Sequence, residues 1–134
     1  MAEISGGAAP RASIEFRSAV WEQEVERFDR RSPARIQAER ARREIEAGVA
    51  WLAWRPCEAE GPGGIRLPGC RKLYVPLGAS GPSAAPLGFV FRLSQRSDGS
   101  LAWTLIAFGV RHPDRDTRSV YERAHKRLYG HFPG

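Results

Sequence analysis

The chain is poor in sulfur, has no long apolar run, and lacks a basic, apolar leader. Of its 134 residues only two are cysteine and one is methionine. Cys57 and Cys70 are too few for a disulfide framework, and they fit neither a C-x-x-C motif nor a zinc-ligand spacing. Both are expected to be free thiols in a reducing compartment, with at least one buried. Met1–Arg11 (MAEISGGAAPR) does not read as a signal peptide. No stretch approaches the roughly 18 apolar residues that a membrane span needs. The expectation is a cytoplasmic protein with no membrane partner. No internal repeat, metal motif or cofactor motif is legible, so neither metal nor cofactor is expected.

What is present points to a folded, basic protein. Hydrophobic residues make up 42% of the chain and include four tryptophans, enough for a packed core. The length suits one domain, read here as residues 13–130 behind a Gly- and Ala-rich, disordered lead-in at 1–12. The formal charge of +6 is unevenly spread. Residues 1–65 carry 10 basic and 11 acidic side chains, a net of −1. Residues 66–134 carry 11 and 4, a net of +7. An anionic partner such as RNA or DNA would meet the second half first. The bland alternative is a basic protein whose arginines merely solvate its surface.

Local patterns divide the chain into elements. Ser13–Arg17 alternates as a first strand, with Ile14 and Phe16 on one face. Ser18 is expected to cap a helix whose Trp21, Val25 and Phe28 recur at i, i+4 and i+7. Its charged residues Glu22, Glu24, Glu26, Arg27, Arg30 and Arg31 are expected to face outward. Ser32-Pro33 starts a second helix, a cap followed by proline at the first helical position. Ala34, Ala38, Ala41 and Ile45 form its inner stripe, and it ends near Gly48. Val49–Trp54 is either a short helix or a buried connector, and Glu58–Gly69 is a Gly/Pro loop. Cys70–Pro76 is a strand, and Leu77–Pro86 a connector. Leu87–Ser94 and Leu101–Val110 form a hairpin around Asp98-Gly99. Pro113 blocks further strand, and Thr117 or Ser119 caps a last helix through about Leu128. The expected class is α+β: an N-terminal strand and antiparallel helix pair packed on a small, mainly antiparallel sheet, with a short C-terminal helix.

Strand alternation sorts the basic residues. Arg71, Leu73 and Val75 share one face, and Lys72 and Tyr74 the other. Phe89, Phe91 and Leu93 form an apolar face opposite Arg92. If the apolar faces pack on the helix pair, Lys72, Tyr74 and Arg92 all point to an open side. Arg71 is either a further cation for the site or a side chain snorkelling past the core edge.

This order of elements resembles the RelE/ParE superfamily of bacterial type II toxins. The likeness runs from Ser13 to about Leu128. It rests on the strand and charged helix hairpin at Ser13–Gly48, the basic strand CRKLYV, and GFVFRL ending in an arginine. Its last piece is FGVR, followed by the closing segment VYERAHKRL, similar to the terminal helix of the RelE branch. The resemblance implies a toxin held silent by a cognate antitoxin, which in complex with the toxin would contact operator DNA. In the RelE branch the activity would be metal-free, ribosome-dependent cleavage of mRNA, inhibiting translation. The alternatives are a ParE-like inhibitor of DNA gyrase, or a non-catalytic nucleic-acid-binding module on the same fold.

RNA cleavage without metal uses the 2′-hydroxyl as nucleophile. It needs a base, an acid and cations for the crowded phosphorane. The matching positions offer Lys72, Arg92 and Arg111 as cations. His112, of the residue type that titrates near neutrality, is a proton carrier. Tyr121 would stack on a base or orient the phosphate, or else simply pack the last helix. Arg71, Arg115, Arg118 and Lys126 are candidates for RNA contacts. The link between Arg111 and Tyr121, HPDRDTRSV, is longer than usual for the family. His125 and His131 are read as surface residues outside the site.

Overall fold

The computed structural model describes residues 13–48, 55–57, 66–76, 86–113 and 118–133. The elements are β1 (Ser13–Glu15), α1 (Ser18–Glu24), α2 (Pro33–Glu46), β2 (Arg55–Pro56), β3 (Cys70–Val75), β4 (Leu87–Gln95), β5 (Leu101–Val110) and α3 (Val120–Tyr129). The five strands form one sheet in the order β1-β5-β4-β3-β2. Every pairing is antiparallel except β1 on β5, which is parallel. The α+β class is therefore as expected, with β2 an addition. The lead-in at 1–12 and the segment 49–54 lie outside the described residues.

Local chemistry accounts for most of the boundaries. Ser32 caps α2 by accepting from the Arg35 N–H, with Pro33 at the first helical position. At α3 the open choice of cap falls to Ser119, which forms a reciprocal capping box with Glu122. The turn between β4 and β5 places Gly99 at φ 90°, where a side chain would be strained. Arg17, not Ser18, precedes the first turn of α1, and no side chain caps it. That helix ends at Glu24, leaving Phe28 just beyond it.

The sheet is covered on both faces. Phe89, Phe91, Leu105 and Phe108 pack with Leu73 and Val75 against Trp21 and Val25 of the α1 segment and Ala38 and Ile45 of α2. On the other face Val90, Ile106 and Ala107 pack against Val120 and Ala124 of α3, with Cys57, Leu67 and Cys70 beside them. A bulge makes this division possible. Val90 pairs with Ala107 and Phe91 with Leu105, so Ile106 is an extra residue in β5. Ile106 and Ala107 thereby share the α3 face, although they are adjacent in sequence.

The expectation of an open second face is thus corrected. Lys72 and Arg92 do lie on the face opposite Phe91 and Arg71, as the β3–β4 register requires. But α3 lies across that face, because Val120 and Ala124 are apolar and need cover. Lys72, against Tyr121 of α3, is buried, whereas Arg92 on the same face is exposed.

A second correction concerns Glu24, expected to face water but only 1% exposed. Strand β1 pairs with β5 only along Ala102–Thr104. Further along that strand the backbone of Phe108 meets side chains instead. Its N–H donates to Glu24 Oε1 at 3.2 Å, and its carbonyl accepts from Arg27 Nη2 at 2.9 Å. Glu24 at the end of α1 and Arg27 just past it stand in for a neighbouring strand, which blunts an edge open to pairing with other chains.

Candidate functional site

Three elements bring a cluster of polar side chains together on the α3 face. Lys72 from β3 sits with its ammonium 5.5 Å from the Tyr74 ring and 5.4 Å from the Tyr121 ring. Arg111, just past β5, lays its guanidinium 3.6 Å from the Tyr74 ring centroid. Its Nε–H donates to the Tyr121 hydroxyl at 3.1 Å. His112 stands exposed at the rim, its ring 6.4 Å from that of Tyr121. The aromatic faces hold both cations by cation–π attraction while displacing water from them.

Glycine makes room for this arrangement. Tyr74, Gly88 and Gly109 are successive cross-strand neighbours on β3, β4 and β5. A Cβ at Gly88 would come within 3.3 Å of Arg111 Cγ, and one at Gly109 within 2.7 Å of Arg27 Nη2. The first contact is tight and the second is excluded unless Arg27 moves. Gly88 thus leaves the space in which Arg111 lies against the sheet, and Gly109 leaves the space for Arg27.

Electrostatics set the state of the tyrosine. Burial pushes the Tyr121 hydroxyl above its ordinary value, partly offset by the hydrogen bond and charge of Arg111 and by Lys72. Tyr121 therefore remains protonated at neutral pH. Its oxygen already accepts from Arg111, so its own hydrogen is free to point at an incoming oxygen.

The other sequence-derived candidates fall elsewhere. Arg92 shares the face of Lys72 but stands four residues along β4 from Gly88, roughly 13 Å at about 3.3 Å per residue. Arg71 lies on the opposite face, its guanidinium 5.9 Å from the Trp103 ring. Arg115 lies outside the described residues. Arg118 pairs with Glu122 at 3.3 Å and stacks on Phe132 at 4.1 Å. Lys126 lies 4.8 Å from the same ring, about 140° around α3 from Tyr121.

Two features escaped the sequence reading. Tyr74 supports both cations, a role that strand alternation alone does not reveal. The buried Glu24 accepts from Arg123 Nε at 2.9 Å and Nη2 at 2.6 Å, and from Arg127 Nη2 at 3.0 Å. A signal existed: Trp21, Glu24, Val25 and Phe28 occupy i, i+3, i+4 and i+7, one helical stripe.

Cys57 and Cys70 are both free and both buried. Burial pushes their thiols up to about 12 and about 11, respectively. At neutral pH they are protonated and shielded, hence poor nucleophiles. A thiol-specific disulfide reagent is expected to label neither in the folded protein and both in denaturant. Rapid labelling of the folded chain near neutral pH would contradict this.

Among the described residues, no group of three or more His, Cys, Asp or Glu side chains is placed to hold a metal ion. No helix there is long and apolar enough to cross a membrane. Comparison with protein-family models, with curated proteins and with solved structures finds no match.

Proposed function

We propose that the Lys72–Arg111–Tyr121 cluster binds RNA at a phosphodiester and cleaves it, as the toxin of a type II toxin–antitoxin pair similar to the RelE branch. One observation carries this reading. Two cations and a protonated hydroxyl, drawn from β3, the end of β5 and α3, converge on one face beside an exposed histidine. Among the described residues no carboxylate is ion-paired to Lys72, so its charge is available to a phosphate.

The roles follow from the chemistry. His112 takes the proton of the 2′-hydroxyl, whose oxygen attacks phosphorus. A bond to the 2′-oxygen forms as the bond to the 5′-oxygen breaks, and Tyr121 gives its proton to that leaving oxygen. Lys72 and Arg111 neutralise the charge that accumulates on the phosphorane. Arg92, farther along the sheet, contacts a neighbouring phosphate. A cognate antitoxin would silence the protein by laying an acidic segment over this basic face, and the message would be met on the ribosome.

A second reading has its own support. Lys72 is 9% exposed beneath two tyrosine rings, which suits a binding module that grips phosphate without cutting. Purified protein incubated with message-programmed ribosomes, with free RNA and with gyrase in a supercoiling assay separates the readings. Cleavage of ribosome-bound message is the expected result. RNA bound but left whole would favour the module, and loss of supercoiling without cleavage would favour gyrase inhibition.

A further inference from the structure

A second group of cations lies on the other flank of α3. Gln23, Glu24, Arg123, Lys126, Arg127 and Phe132 line an open cleft of about 410 Å³. One carboxylate faces three cations there, an excess of two positive charges. Both oxygens of Glu24 are fully used, receiving the Phe108 N–H, two bonds from Arg123 and one from Arg127. A guanidinium has five N–H donors, so these bonds fix the two forks and leave their other N–H groups for a ligand. Balancing Glu24 would take one arginine. The second arginine and Lys126 are surplus to it.

We propose that this cleft is a binding site for a phosphate group, held by Arg123, Lys126 and Arg127 with Glu24 as the positioning residue. Phosphate fits better than carboxylate. Its charge matches the surplus, and its oxygens suit two guanidinium forks set side by side. The volume lies within the ordinary range for ligand sites, so the phosphate can carry a substituent. The surroundings favour an anion as well. Arg27, against the same end of β5, has its pKa lowered by burial and then by the charge of Arg123. An anion in the cleft relieves that crowding. The site stands apart from the chemistry proposed at Lys72 and Arg111 and does not depend on it.

The phosphate belongs either to a small molecule or to a nucleic-acid backbone, and one experiment distinguishes them. Nitrogen–proton correlation spectra of the whole chain are recorded with inorganic phosphate and, separately, with a short single-stranded RNA. Signals of Arg123, Lys126, Arg127 and Phe132 are expected to move with inorganic phosphate. Lys126→Ala combined with Arg127→Gln is expected to weaken that binding at least about tenfold, since hydrogen bonds to charged groups are individually strong. Arg40→Ala, which removes an exposed cation of α2 at a distance, should change nothing. Lys126 makes no bond to Glu24, so Lys126→Ala alone shows the loss without touching the buried network.

If RNA moves the same signals and phosphate competes with it, the source is a strand backbone. The slope of log K against log salt should then fall by about 0.7 in the double variant. Movement with phosphate but not RNA also supports the site and assigns it to a small phosphorylated molecule. Unmoved cleft signals with both probes, or shifts spread equally over Arg40 and other exposed arginines, would overturn the proposal. RNA cleavage enters none of these readouts, so the two proposals fail independently.

Discussion

Arg111→Ala is expected to lower RNA cleavage about 10²–10³-fold, or about 2.7–4 kcal/mol of barrier, while leaving the protein folded. That is the usual loss when one pre-set donor to a developing anion is removed. The residue lies beyond the last β5 pair and is only half-buried, so packing should change little. Its loss removes a cation and also the Nε–H that directs the Tyr121 hydroxyl. Arg111→Lys keeps the charge without the planar fork, and is expected to recover only part of the activity. Lys72→Met is the sharper partner experiment. Its largely buried side chain rests its ammonium against two rings, so methionine should leave stability about unchanged while activity falls. Arg92→Ala should cost less, because that side chain lies farther along β4. Single-turnover cleavage with circular dichroism reads these outcomes. A folded Arg111→Ala variant with undiminished cleavage would remove the cluster from consideration as a nuclease site.

Glu24→Ala is expected to cost about 3–5 kcal/mol of stability, the range found when one partner of a buried ion pair is deleted. Total stabilities are about 5–15 kcal/mol, so the variant should be badly compromised. The loss is large because Glu24 joins three elements. It closes the β5 edge at Phe108, anchors the end of α1, and ties α3 to both through Arg123 and Arg127. Glu24→Gln keeps an acceptor for the Phe108 N–H and should cost less. Denaturant titration of both variants measures the difference. A loss under 1 kcal/mol for Glu24→Ala would show that the arginines hold α3 by packing.

The same group sets an acid limit. Burial raises the Glu24 carboxyl, but the hydrogen bonds and charge of Arg123, the Phe108 N–H and Arg127 outweigh it and leave the pKa below its ordinary value. Because the folded value is the lower one, this stabilisation is complete above the unfolded pKa. It is lost as pH falls through the folded pKa. In wild type, stability should decline through the acid range, and Glu24→Gln should flatten that decline.

How much was legible can be judged from particular residues. Ser32-Pro33, the Asp98-Gly99 turn and the Ala34–Ile45 stripe each act within one helix or one hairpin, and each did what its local chemistry requires. Strand alternation placed Lys72 with Arg92 and set Arg71 with Phe91 on the other side, because neighbouring strands share one pleat. The bulge at Ile106 was not visible, since an extra residue is defined only against a partner strand. Glu24 was misplaced for a related reason. Its charge argues for water, and only Arg123 and Arg127, about a hundred residues away in sequence, make burial tolerable.

The sequence by itself determined most of the elements, the cap of α2, the two faces of β3 and β4 and the basic character of the second half. Those follow from periodicity and composition, which act locally. Tertiary structure alone decided that α3 covers the second face, that Arg111 beside Gly88 meets Tyr121, and that a carboxylate lies buried among arginines. Each of those depends on side chains from different elements meeting at a few ångströms, and no local periodicity encodes such a distance.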